Sequence, residues 1–179
     1  MAAAMDVRKS YNLGMGVIGN YPQFYPAKKT IGLLHSGFGS LPNNYQKLVQ
    51  FFCYGSSMNN GIKMLQDFIN VKKGRPEWTL MQKEAQFYVA SIHLHLKNDK
   101  TTAWNLADTL TKDYASNPLS GFARVHFADK CRRNDEIIKV VQKIPTAKPY
   151  GSIPFLQFML GKAKLNRLDN DADESLLQY

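Results

Sequence analysis

No apolar run in the chain approaches the ~20 residues that a membrane-spanning helix needs. The opening Met1-Ala2-Ala3-Ala4-Met5 passes at once into charged residues, so the apolar core of an export leader is missing from it. Cysteine is almost absent. Cys53 and Cys131 stand 78 positions apart, which excludes a disulfide scaffold and a CxxC metal or redox site and leaves one bridge open. Acidic residues are also few, 14 against 23 Lys and Arg. Aromatic residues are plentiful instead: 10 Phe, 9 Tyr and 2 Trp exclude intrinsic disorder. A length of 179 residues suits one domain with a sizeable core. The helical pattern reaches Tyr179, which admits the chain as a fragment of a longer protein and leaves its compartment open.

The net charge of +9 directs attention to nucleic acid, and its distribution weakens that direction. Between Gly121 and Arg167 ten Lys or Arg face only Asp129, Asp135 and Glu136, and the acidic run Asp169, Asp171, Asp173, Glu174 follows at once. The pattern describes a basic edge beside an acidic corner. Such a surplus bears on solubility and non-specific association, not on fold.

Apolar residues recur at helical spacing through most of the chain, with no long stretch at the strand period of two, so the expected class is all-α. Tyr45, Leu48, Val49 and Phe52 form one stripe, and Ile62, Leu65, Phe68 and Ile69 the next. Ala85, Tyr88, Val89, Ile92 and Leu96 make the strongest. Four more follow: Ala103, Ala107, Leu110, Tyr114; Leu119, Phe122, Ala123, His126, Phe127; Ile137, Ile138, Val141, Ile144; and Phe155, Leu156, Met159, Leu160, Ala163. Asn117-Pro118 and Pro154 mark helix starts, while Asn98-Asp99 and Asn134-Asp135 mark tight turns between antiparallel neighbours. Residues 1–42 read differently. One helix is expected around Asp6–Ile18, followed over Gly19–Pro42 by an irregular leader punctuated by Pro22, Pro26 and Pro42; residues 43–179 form the helical domain.

Ala90, Ala123 and Gly161 are small residues flanked by bulky apolar ones, 33 and 38 positions apart, close to a helix-turn-helix period of roughly 34. On these residues the chain resembles the tetratricopeptide-repeat superfamily over 43–179, with the register best over 83–168. His93 and His126 stand where the superfamily usually has Tyr, and Ala103 or Ala107 at the small position of a second helix. Leu41-Pro42 through Leu48, with Asn60 to Leu65, also resembles a divergent branch in which a leader precedes the repeats. The resemblance implies a right-handed superhelix of antiparallel helix pairs with a concave protein-binding face and no catalysis.

Gly14-Met15-Gly16-Val17-Ile18-Gly19 has the G-x-G-x-x-G spacing of a dinucleotide loop, yet no buried strand precedes it and no acidic residue follows at the ribose distance; close packing or a helix end is the better account. Asp169-Asn170-Asp171-Ala172-Asp173 opens like a calcium loop, but Glu174 replaces the glycine of the sharp turn, so the acids are assigned to a helix N-terminus. His93 and His95 point about 200° apart on a helix and cannot chelate one metal. His35-Ser36 lacks the positioned acid that a hydrolase needs. His126, Cys131 and Cys53 read as core groups.

The expectation is therefore a non-enzymatic scaffold, without cofactor or metal, that binds a protein or peptide partner on its concave helical face. Tyr88, His95, Arg124 and Lys130 are the candidate partner-binding residues. Two alternatives stand beside it: a structural or assembly segment of a larger repeat protein, and nucleic-acid binding through Lys130, Arg132, Arg133, Lys139, Lys143, Lys162, Lys164 and Arg167 of the basic edge.

Overall fold

Most of the helix starts and stops coincide with residues suited to satisfying or omitting terminal backbone groups. In the computed structural model, which describes residues 2–42, 44–45, 57–71, 76–144 and 153–169, eight helices are found among the described residues and no strand. They are α1 (Ala2–Asn20), α2 (Pro26–Gly39), α3 (Met58–Ile69), α4 (Trp78–His95), α5 (Lys100–Leu110), α6 (Pro118–Lys130), α7 (Asn134–Lys143) and α8 (Pro154–Arg167). Ser57, Asp99 and Asn117 cap α3, α5 and α6 by accepting the backbone N–H of Asn60, Thr102 and Leu119. Pro26, Pro118 and Pro154 open α2, α6 and α8, where a missing N–H costs nothing.

The chain divides into two compact units, Met1–Ile92 and His93–Tyr179. In the first, α2 packs on α1 and on α3. Tyr11 and Ile31 form a buried centre flanked by Ile18, Leu34, Phe38 and Met64. A β-carbon on Gly14 would lie 2.5 Å from Ile31 Cδ1, so the glycine sets the approach of α1 to α2. The crossing of α2 with α3 is closer still. Gly32, Ser36 and Gly39 line α2 at i, i+4 and i+7, and a β-carbon on Gly32 would lie 2.9 Å from the Gly61 carbonyl oxygen and 3.1 Å from Leu65 Cγ. Ile62, Leu65 and Phe68 fill the buried side of α3. The last two carbonyls of α3 and that of Val71 just beyond it are met from α4: the Gln82 side-chain amide donates to Phe68, Ile69 and Val71 at 3.1–3.4 Å. Lys29 of α2 pairs with Glu84 of α4 at 2.5 Å.

The irregular leader expected over Gly19–Pro42 is corrected by α2, a helix of 14 residues in that span. The prolines flank the helix and do not interrupt it. Its glycines each forfeit about 1 kcal/mol of helix propensity, and at Gly32 and Gly39 close contact with α3 and the residues just before it offsets that loss. Helix α1 also runs further at both ends than Asp6–Ile18. Of the stripe Tyr45, Leu48, Val49, Phe52, only Tyr45 lies within the described residues.

In the second unit α5, α6, α7 and α8 each pack on the next, and α6 also packs on α8. Ala103, Trp104, Val125, Phe127, Ile137, Val140, Leu156 and Met159 form much of its core, each large apolar side chain contributing roughly 1.5–3 kcal/mol on burial. Helices α4, α6 and α8 are followed by residues in the left-handed region, Asn98 (φ 53°), Arg132 (φ 58°) and Leu168 (φ 62°). Each helix end is closed there, with the N–H of Asp99, Arg133 and Asp169 donating to the carbonyls of His93, Ala128 and Lys164 at 2.8–3.0 Å. These three left-handed residues are 34 and 36 positions apart.

The sequence stripe assigned to the core of α6 is displaced. The helix buries Gly121, Arg124, Val125, Phe127 and Ala128, and leaves Leu119 74% exposed and Phe122 38% exposed. Because α6 carries apolar residues on most of its circumference, spacing alone selects no single face; contact with α5, α7 and α8 selects it.

Candidate functional site

With Arg124, Val125 and Ala128 turned inward, the opposite side of α6 presents Phe122, His126 and Lys130 at i, i+4 and i+8, one above the other. Helix α8 brings Phe155 to this row, its ring centroid 5.0 Å from that of Phe122. The Phe122 and His126 rings are nearly parallel, 9° between planes at 6.5 Å, and His126 also meets His95 at 6.4 Å and Phe127 edge-on at 6.1 Å. Phe158, one turn beyond Phe155 on α8, is 38% exposed, as Phe122 is. The result is an aromatic shelf along α6 and α8.

One end of that shelf is basic. His95 and Lys130 are exposed, and the neighbouring Asp129 carboxylate is bound by Lys162 of α8 at 2.7 Å. Burial holds the His126 imidazole below its usual range; the positive charges of Lys130 and His95 push the same way, and Asp129 opposes them. Neutral imidazole and partly exposed aromatic rings suit apolar contact, while the flanking cations suit an anion.

No family model, curated protein or solved structure matches the chain.

The four residues expected to bind a partner are placed in three settings. His95 and Lys130 belong to the shelf and its basic end. Arg124 is 7% exposed inside the second unit, where its guanidinium pairs with Asp108 at 2.5 Å and Glu136 at 3.3 Å and lies over the rings of Trp104 and Tyr114 at 5.3 and 5.0 Å. Tyr88 is half-buried on α4 in the first unit, and its hydroxyl donates to Glu84, which raises the phenol pKa. Phe122, His126 and Phe155 were assigned by spacing to the core. For Phe122 the separating signal is register, since Tyr88, Phe122 and Phe158 each stand ten residues before the left-handed residue that follows their helix; for His126 and Phe155 only the contacts with Phe122 reveal the face.

The remaining motifs resolve into structural roles where they are described. Gly14 to Gly19 lies inside α1, with no strand before it. His35 turns to Tyr11, whose hydroxyl lies 3.2 Å from Nε2, while the Ser36 hydroxyl donates to the Gly32 carbonyl at 2.9 Å, so the two are not paired. His93 meets Asp99 at 3.2 Å and His95 meets His126, so the two histidines diverge. The Cys131 thiol is half-buried against the Lys100 carbonyl, and burial raises its pKa. Cys53 and the acidic run after Asp169 lie outside the described residues.

Much of the basic edge is engaged. Arg133 lies over Trp104 at 4.9 Å, Lys139 pairs with Glu136 at 3.4 Å, Arg167 pairs with Asp135 at 2.6 Å, and Lys164 is buried. Among the described residues no helix is long and apolar enough to cross a membrane, and no group of three metal-ligating side chains occurs.

Proposed function

We propose that the chain is a non-enzymatic, tetratricopeptide-like helical-repeat module that binds a peptide or protein partner on the face carrying Phe122, His126, Phe155 and Phe158. The observation that carries this reading is the recurrence of an aromatic residue ten positions before each of the left-handed helix ends at Asn98, Arg132 and Leu168. Core packing does not require it, since Phe122 and Phe158 each leave more than a third of their surface in water. Partly exposed aromatic rings supply large contact area at low entropic cost, the usual anchors of protein interfaces. The pairing of Lys139, Lys162 and Arg167 with carboxylates favours a protein partner over nucleic acid, which needs a track of available cations.

Site-specific photocrosslinking tests the reading. A benzoylphenylalanine placed at Phe122 or at Phe158 is expected to capture the same partner, identified by mass spectrometry, and one placed at exposed Lys112 is expected to capture none. Capture that is equal at Lys112, or absent from both aromatic positions, rejects the face as a binding surface.

A further inference from the structure

We infer that the partner segment is acidic: it places a bulky apolar side chain on the Phe122–Phe155 shelf and an Asp or Glu carboxylate, one or two residues away, between His95, His126 and Lys130. The inference rests on the binding face proposed above and names what that face selects.

Three basic groups converge at this end of the shelf. The His95 and His126 rings are 6.4 Å apart, and Lys130 stands one turn beyond His126. The groups facing His126 are His95 from α4, Lys130 and Asp129 from α6 itself, and Lys162, reaching Asp129 from α8. Asp129 is the one that attracts positive charge, and its carboxylate is already bound by Lys162 at 2.7 Å. The mutual repulsion of Lys130 and His95 with a protonated His126 is therefore left for a ligand to relieve. A carboxylate seated there would stabilise the imidazolium and raise the His126 pKa from its lowered position, so binding takes up a proton.

The localisation of the charge decides the class of ligand. Beyond this end the cations Arg133, Lys139 and Arg167 are stacked or ion-paired, which interrupts the basic edge as a track for a phosphate backbone and favours a ligand that uses the apolar shelf as well. A peptide that combines one apolar anchor with one carboxylate fits both halves. Charge complementarity of this kind selects among partners more than it adds raw affinity.

The test is selection of a random nonapeptide library on phage against the immobilised full chain at pH 6.0, followed by titration of the leading clone as a synthetic peptide. Enriched sequences are expected to carry Asp or Glu within two positions of Phe, Leu or Trp, and to bind roughly tenfold more tightly at pH 6 than at pH 8. Lys130→Glu and His126→Gln are expected to lose the acidic preference with unchanged circular dichroism. Independently of any variant, the His126 ring resonance in the wild type is expected to titrate at higher pH when the leading peptide is present. Enriched sequences without acids, or an unmoved His126 titration, overturn the inference and leave the binding face standing. Displacement of the peptide by mixed-sequence single-stranded DNA, with steep salt dependence, overturns it in favour of nucleic acid. Enrichment that is insensitive to Phe122→Ala, or no enrichment, rejects the binding face itself.

Discussion

Gly61 and Ser36 stand so close at the crossing of α2 and α3 that a β-carbon on Gly61 would overlap the Ser36 hydroxyl oxygen. The neighbouring Gly32 carbonyl would be struck as well, and backbone cannot rotate away as a long side chain can.

Gly61→Ala is therefore expected to destabilise the chain by about 2–3 kcal/mol, the upper range for overpacking a close contact. Gly16→Ala supplies the contrast. It lies inside α1 with nothing within 4 Å of the added carbon, and is expected to stabilise by roughly 0.5–1 kcal/mol through helix propensity alone. Urea denaturation of the two variants checks both signs, and equal effects would refute the close crossing.

Arg124 holds Asp108 and Glu136 together from inside the second unit. Arg124→Ala is expected to cost about 1–3 kcal/mol, because the buried guanidinium loses its hydrogen bonds to Asp108 and Glu136 and its packing over Trp104 and Tyr114. Asp108→Asn is expected to cost less, since Glu136 remains. Chemical denaturation of each variant and of the double variant measures the coupling.

Arg132 and Leu168 occupy left-handed backbone at φ 58° and 62°, a conformation that costs a side-chain-bearing residue roughly 1 kcal/mol. Arg132→Gly and Leu168→Gly are each expected to raise the melting temperature by a few degrees, with little change for Asn98→Gly, since asparagine tolerates this region. Thermal melts followed by circular dichroism decide it.

The pH dependence follows from His35 and His126, whose pKa values burial lowers in the folded chain from 6.5. Between the lowered folded values and about 6.5 the unfolded chain binds more protons than the folded one, so stability rises with pH across that window. It is complete above the unfolded value and is lost as pH falls through the folded values. Melting temperature is expected to fall between pH 7.5 and pH 5, and His35→Gln to reduce the fall. An equal slope in that variant would remove His35 from the account.

The all-α class was legible because Ile62, Leu65 and Phe68, or Ile137, Ile138 and Val141, recur at a helix's period and are buried as that period requires. The helix α2 was not legible. Gly32, Ser36 and Gly39 read as loop punctuation, and their use becomes visible only when Gly61 is set against them. The candidate site divided in the same way. His95 and Lys130 were placed on it from sequence, whereas Phe122 and His126 were assigned to the core because α6 is apolar on several sides and only its neighbours determine which side is covered. The alternation of stripes places Arg124 among the partner-binding residues of the inner face; it is buried because Asp108 and Glu136 come to it from two other helices, 16 and 12 residues away, a pairing that no local pattern encodes.

The Gln82 amide closes the end of α3 with three carbonyls from residues 68, 69 and 71. Helix α3 is thus completed by a side chain that arrives 13 residues after its last residue. During synthesis, or in any cleavage product that stops short of residue 82, those acceptors face water and α3 has an open, fraying end. In the folded chain α4 thus works as a latch on α3, through a side chain that α3 itself does not contain.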